Sequence, residues 1–293
     1  MTPGRLFVVA TPLGNREDLS PRAIRVLREA DLIACEDTRH TGTLLRGHDI
    51  RTPLTSFFEH NERRKLTEVI AAIDAGKTVV LVSDAGTPGI SDPGYRLIRE
   101  ARTRGISVVP VPGPSAVVAA LSVSGLPTDR FLFVGFLPKK AGARREAIAE
   151  LLHERGTLVF YESPLRVVST LEALRETLGD REAFLCREAT KLHEEYVLAP
   201  LSALSRILGE RDAVKGEIVL VVAGAVASVE HRAEDSDDLF AELVASGKSR
   251  REAAKEIARR TGLPAREIYA RSLARAEIAA GKDLGGVDPP RKP

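Results

Sequence analysis

Residues Ser83-Asp84-Ala85-Gly86-Thr87-Pro88-Gly89-Ile90-Ser91-Asp92-Pro93-Gly94 place three glycines, two prolines and two aspartates within twelve positions. They follow directly on the apolar run Thr78-Val79-Val80-Leu81-Val82. Proline removes a backbone donor and fixes φ, and glycine supplies conformations other residues avoid, so the stretch reads as a loop of specified turns. A buried strand that runs into a small-residue loop is the element with which an open α/β sheet holds a ligand at its carboxyl edge. The loop contains no lysine and no GxGxxG spacing, which excludes a P-loop and a dinucleotide fingerprint. The expected ligand is a small molecule held by backbone groups and one or two carboxylates.

Two further loops of the same kind follow predicted strands. Leu6–Thr11 leads into Thr11-Pro12-Leu13-Gly14-Asn15, and Ile106–Val109 leads into Pro112-Gly113-Pro114-Ser115-Ala116. Between them, Ser20-Pro21 pairs an N-cap with proline at the first helical position and opens a helix through Glu29. Leu32–Cys35 reads as a short strand ending at Glu36-Asp37-Thr38-Arg39. Leu66, Val69, Ile70 and Ile73 give residues 61–75 one apolar face that stops at Gly76, and Tyr95–Arg104 is a helix ended by Gly105. Repeated strand–helix units predict a mostly parallel sheet whose loops converge on one cleft.

The second half reads differently. Strands are expected at Phe131–Leu137, Thr157–Tyr161, Ala183–Arg187, Glu194–Leu198 and Glu217–Val222, with helices at Ala143–Arg155 and Pro164–Leu178, the latter capped by Ser163. The short connection between the Ala183 and Glu194 strands implies antiparallel pairing. Residues 229–248 carry six acidic and two basic side chains, with Val229–Asp238 reading as a linker, whereas residues 249–293 carry eleven basic and six acidic ones. That basic excess marks a nucleic-acid surface or a solvated helical face. Ser249 and Glu252 have capping-box spacing. A glycine turn at Thr261-Gly262-Leu263-Pro264 then gives a helix-turn-helix outline, and residues 285–293 read as a disordered tail. The expected domains are 1–113, 114–228 and 236–284. Cys35 and Cys186 stand alone in apolar runs, as buried thiols of a reducing compartment do. The absence of a membrane-length apolar run or a signal region predicts a cytoplasmic protein.

Taken in order, seven motifs resemble those of the tetrapyrrole-methylase superfamily. They are Thr11–Asn15, Glu36–Arg39, Glu59-His60-Asn61, Ser83–Pro88, Pro112–Ala116, Gly125–Phe131 and Phe160-Tyr161-Glu162-Ser163-Pro164. Within it the pattern is similar to that of bacterial 16S rRNA cytidine 2'-O-methyltransferases. The resemblance implies a class III methyltransferase fold: two α/β domains holding S-adenosylmethionine between them, here with a small helical C-terminal unit, in a homodimer. It assigns cofactor contacts to Pro12, Ala85, Gly86, Thr87, Ser115, Ala116, Tyr161, Glu162, Ala189 and Ile218. Porphyrin-precursor relatives carry Gly-Gly-Asp-Pro where this chain has Ala85-Gly86-Thr87-Pro88, which favours the ribosomal branch and leaves Asp84 as a substitute ribose contact.

A ribose hydroxyl is a poor nucleophile until its proton is taken, so a base or a polarising network is expected. Candidates are Glu36, Asp37, Glu59, His60, Glu162 and Lys191, although Asp37 is equally placed to cap a helix and His60 to serve as a hydrogen-bonding partner. Arg39 and Arg166, with Arg250, Arg251, Lys255 and Arg259 of the basic tail, are candidate contacts to RNA phosphates. The six histidines are scattered, and no metal site is expected. The leading reading is methylation of 16S rRNA in the 30S subunit. A methyltransferase of small tetrapyrrole-like molecules and a non-enzymatic nucleic-acid-binding regulator are the alternatives.

Overall fold

The computed structural model describes residues 4–58, 60–226, 238–261 and 264–279. The chain divides into two compact units, residues 1–225 and 226–293.

The first unit contains two five-stranded sheets. Sheet one is built from β1 (Arg5–Val9), β2 (Leu32–Cys35), β3 (Leu54–Ser56), β4 (Thr78–Leu81) and β5 (Ser107–Val111), all parallel, in the order β3-β2-β4-β1-β5. Helices α1 (Pro21–Glu29) and α2 (Thr38–Arg46) cover one face, around Leu27, Ile33 and Val80. Helices α3 (Glu62–Asp74) and α4 (Tyr95–Thr103) cover the other, around Ile73, Val79 and Leu97. Burial on both faces explains why β2 and β4 are continuously apolar rather than alternating. Each fully buried aliphatic side chain there contributes about 1.5–3 kcal/mol. Ser20 caps α1 as expected, its Oγ accepting from the Ala23 amide at 3.1 Å.

The strand order fixes where the loops meet. After β1 the chain turns toward β2, and after β4 it crosses to β5, so the carboxyl ends of β1 and β4 form the switch point of the sheet. Pro110 lies in β5, an edge strand, where a missing backbone donor is tolerated.

Sheet two runs β6 (Phe131–Phe136), β7 (Thr157–Glu162), β10 (Ile218–Val222), β8 (Glu182–Arg187), β9 (Glu195–Pro200), parallel only between β6 and β7. The antiparallel β8–β9 hairpin matches the expectation. Helix α5 (Ala116–Val123) covers one face through Val117, Ala120 and Leu121. Helices α6 (Ala141–Ala149), α7 (Val167–Leu178) and α8 (Leu201–Gly209) cover the other. Helix α7 begins three residues later than predicted. Residues 164–166 form a turn, because the buried Glu162 carboxylate holds the Ser163 amide at 2.8 Å and the Thr170 hydroxyl at 2.6 Å. Ser163 is therefore not the cap.

In the second unit, α9 spans residues 238–245, α10 is Arg250–Thr261 and α11 is Ala265–Ala279. The capping box is present: the Glu252 amide donates to Ser249 Oγ at 3.3 Å and the Ser249 amide to Glu252 Oε2 at 3.0 Å. Phe240, Ala254, Ile257 and Ile268 form its core. Most of the predicted linker, Gly262-Leu263 of the turn and the 285–293 tail lie outside the described residues.

Candidate functional site

The three glycine- and proline-rich loops are tied to one another at the switch point. The Thr11 amide donates to the Gly86 carbonyl at 2.9 Å, and the Gly86 amide returns a bond to the Thr11 carbonyl at 3.0 Å. Thr11 Oγ1 donates to the Ser83 carbonyl at 3.0 Å, and Thr87 Oγ1 to the Pro114 carbonyl at 3.0 Å. The last bond gives a physical reason for threonine at position 87, since an ionised carboxylate cannot donate. Gly86 has φ +77°, and a Cβ there would stand 3.2 Å from Leu13 Cδ2.

These loops form one wall of a cavity of about 390 Å³. Leu13, Asp84, Ala85, Gly86, Thr87, Ile90, Asp92, Ser115 and Ala116 line it from the first sheet. Phe136, Tyr161, Glu162, Cys186, Ala189, Glu217, Ile218 and Val219 line it from the second. Ten expected cofactor contacts thus converge: Asp84, Ala85, Gly86, Thr87, Ser115, Ala116, Tyr161, Glu162, Ala189 and Ile218. Pro12 is half-buried and does not line the cavity; its neighbour Leu13 does. Gly135 makes the approach of the two sheets possible. It sits at a β6 bulge with φ +76°, where a Cβ would lie 3.2 Å from Ser91 Oγ of the long loop. Burial pushes the Tyr161 hydroxyl up to about 12, with the Asp92 charge adding to the effect.

A second, open cleft of about 490 Å³ is lined by Glu36, Asp37, Thr38, Arg39, Ser56, Phe58 and Asp84. These residues end or follow β2, β3 and β4, and Asp84 belongs to both cavities. Its Oδ1 accepts from the Asp37 amide at 3.1 Å, so it braces the turn after β2 while facing both spaces.

The proposed bases separate by environment. Asp37 is the N-cap of α2: its Oδ1 accepts from the Arg39 amide at 2.8 Å, its Oδ2 pairs with the Arg39 guanidinium at 3.1 Å, and both contacts hold its carboxyl low. Glu162 is corrected to a brace. Its side chain is fully buried and accepts from Ser163, Thr170 and Arg166. His60 is exposed, edge-on to Phe58 with ring centres 6.4 Å apart, and lines neither cavity. Lys191 is bound to Glu188 at 2.8 Å and Glu217 at 2.9 Å. Glu59 lies outside the described residues. Glu36 lines the open cleft, and burial first, then the Asp84 and Asp37 charges, raises its carboxyl.

Two further corrections concern the long loop and Arg166. Asp92 lines the cavity, and burial pushes its carboxyl up to about 6, with the charges of Glu36 and Asp84 adding and a Ser83 hydrogen bond opposing. Its presence in the loop is legible in the sequence, but not that both loop aspartates face the cavity. Arg166 is not a surface cation. Its Nη2 donates to the Leu137 carbonyl at 2.8 Å and to Glu162 at 3.1 Å, with the side chain 20% exposed. Arg39 is the opposite case, with its side chain 91% exposed. On α10, Arg250, Arg251, Lys255 and Arg259 are all exposed, the last three spaced by four along one stripe.

The family model of tetrapyrrole (corrin/porphyrin) methylases matches residues 5–205. A Pseudomonas aeruginosa protein named ribosomal RNA small subunit methyltransferase I is 49% identical over 226 residues, 76% of this chain and 80% of the relative. A Synechocystis protein of the same name is 43% identical over 275 residues, 92% and 98% of the two chains. The crystal structure of uroporphyrin-III C-methyltransferase from Thermus thermophilus complexed with S-adenosyl homocysteine aligns with TM-score 0.52. It shares 23% identity over 74% of this chain and 97% of its own. Diphthine synthase aligns with TM-score 0.56 at 18% identity, over 75% and 90%.

Proposed function

The chain belongs to the tetrapyrrole (corrin/porphyrin) methylase family, and from that premise we propose that it methylates the 2'-hydroxyl of a cytidine in 16S rRNA, using S-adenosylmethionine. The observation that carries this reading is the shared Asp84 wall. A cavity sized for a small cofactor lies beside an open polar cleft that a macromolecule's nucleotide can enter. The names of the relatives, ribosomal RNA small subunit methyltransferase I, support RNA over a tetrapyrrole substrate. The test is transfer of labelled methyl from the cofactor to 30S subunits lacking the modification, with the product mapped by mass spectrometry. Incorporation at a cytidine ribose is expected, and none into RNA despite cofactor binding would refute it.

The residues present fit the cofactor. The volume falls within the roughly 300–1,000 Å³ usual for such sites. Leu13, Ile90, Phe136 and Val219 offer apolar surface, Gly86 allows close backbone approach, and Asp84 and Asp92 favour a nearby cation. S-adenosylmethionine supplies a methyl group on a sulfonium, activated for in-line displacement. The protein's part is therefore to position and to take a proton. Ala85, Gly86, Thr87, Ser115, Ala116, Tyr161, Ala189 and Ile218 hold the cofactor. Asp92 is the residue we assign as acceptor of the ribose hydroxyl proton, being a carboxylate of the cofactor cavity that, among the described residues, pairs with no cation.

In the second unit, Arg251, Lys255 and Arg259 dock RNA phosphates, with Arg250 beside them. Reversing those three charges is expected to weaken RNA binding and to lower the slope of log K against log salt by about 2–3, at roughly 0.7–0.9 per lost phosphate contact. Cofactor affinity is the control, and an unchanged slope would remove the stripe from the RNA surface. Self-association as a homodimer is supported by apolar side chains left open at the edge of sheet two. Val118 and Val123 of α5 and Tyr196 and Leu198 of edge strand β9 are each about half exposed. Light scattering is expected to give twice the mass of one chain, and half that mass after Leu198→Glu. With an RNA substrate in ribosomal subunits, the location is the cytoplasm; no helix among the described residues is long and apolar enough to cross a membrane.

A further inference from the structure

The open cleft after β2, β3 and β4 has a chemistry of its own. Glu36 and Asp84 make its floor anionic, which disfavours a phosphate and favours a hydrogen-bond donor. Asp84 already accepts from the Asp37 amide, whereas the Glu36 carboxylate, half-buried, makes no hydrogen bond or ion pair among the described residues. Its oxygens face the open cleft, where a ligand's donor can replace the water that otherwise satisfies them. Phe58 lines the same cleft, held in place because Asn61 Oδ1 accepts from its amide at 2.9 Å and Asn61 Nδ2 donates to the Ser56 carbonyl at 3.2 Å. Arg39 reaches out at the mouth, anchored on one side by Asp37. An acceptor within, a ring on the wall and a cation at the rim match the three parts of a nucleotide: base edge, base face and phosphate.

We propose that this cleft receives the target nucleobase, and that Glu36 accepts a hydrogen bond from its exocyclic amine. This rests on the RNA reading above. A carboxylate is the acceptor suited to the cytosine N4 amine, and it meets only an oxygen acceptor in uracil. Glu36 is thus a specificity-determining residue, while Asp92 on the other side of Asp84 handles the hydroxyl proton. Phe58 packs on the ring, and Arg39 meets a flanking phosphate.

The experiment compares methyl transfer to unmodified 30S subunits with transfer to subunits reconstituted with uridine at the mapped target. Wild-type enzyme is expected to favour cytidine in kcat/KM by about 10- to 100-fold, the usual range for one base-edge contact. Glu36→Gln, whose amide both donates and accepts, is expected to bring the ratio within about 3-fold, with the uridine rate rising. Glu36→Ala is expected to lower the cytidine rate and leave the uridine rate where it was. A structural role would lower both rates together. An unchanged ratio in Glu36→Gln, or a proportional loss on both substrates in either variant, would overturn the proposal while leaving the function intact. Failure of the wild-type enzyme to methylate either subunit would overturn the function and this inference with it.

Discussion

Gly86→Arg is expected to abolish cofactor binding, with calorimetry showing at least a 100-fold loss of affinity, about 3 kcal/mol. Three effects act together. Position 86 has φ +77°, which strains any side chain by about 1 kcal/mol. A Cβ meets Leu13 at 3.2 Å. The remaining chain then extends toward the cavity that Gly86 lines. The backbone pairing of residue 86 with Thr11 does not involve a side chain, so the fold is expected to persist with a lowered melting temperature. Gly86→Ala separates the effects: it carries the strain and the Leu13 contact without the long chain, and a loss of less than about 10-fold is expected. Undiminished affinity in the arginine variant would place the cofactor elsewhere.

The loops around Gly86 were legible because glycine and proline state their backbone requirements in the sequence itself. So were the parallel strands, since burial on both faces demands unbroken apolar runs. What escaped notice had weaker local signals. Strand β3, with only Leu54, Thr55 and Ser56, is too short for a period to emerge. Helix α5 is so uniformly apolar that Ala116–Val123 shows no face: Val117, Ala120 and Leu121 pack on sheet two while the equally apolar Val118 and Val123 stay about half exposed. At Ser163-Pro164 a good cap signal lost to tertiary context. The buried Glu162 carboxylate required donors, and Ser163, Arg166 and Thr170 provide them, displacing the helix start to Val167.

Among ionisable residues the same limit applies more sharply. Sequence proximity to a motif marked Glu36, Asp37, Glu162 and Arg166 alike, yet their environments diverge. A carboxylate with a guanidinium beside it is held charged, one that accepts three hydrogen bonds is a structural brace, and one that is half-buried among other carboxylates is pushed toward neutrality. Only three-dimensional placement distinguishes these cases. Asp92 owes its raised value to burial and to Glu36 and Asp84, which come from separate stretches of chain.

Asp92→Asn is accordingly expected to lower kcat by about 10²–10⁴, the usual contribution of a general base, and to weaken cofactor binding by much less, since Asp84 still faces the cavity. The wild-type rate is expected to rise with pH through about 6, where the Asp92 carboxyl ionises, and the variant's residual rate to lose that step. Stability is expected to move the other way. A carboxyl raised above its ordinary value near 3.9 stabilises the fold most at low pH, and this contribution is lost as pH rises through about 6. Above that pH the wild-type protein carries a partly buried charge that asparagine lacks. The variant should therefore melt higher than wild type at pH 8, by about 1 kcal/mol after allowance for solvent screening, and gain nothing at pH 4. The two readouts check each other. A higher melting temperature at pH 8 with unchanged kcat would leave Asp92 as a buried charge of the loop and assign the proton to another group. A loss of kcat without the pH-dependent gain in stability would mean that the carboxyl ionises near its ordinary value and that the step near pH 6 belongs elsewhere.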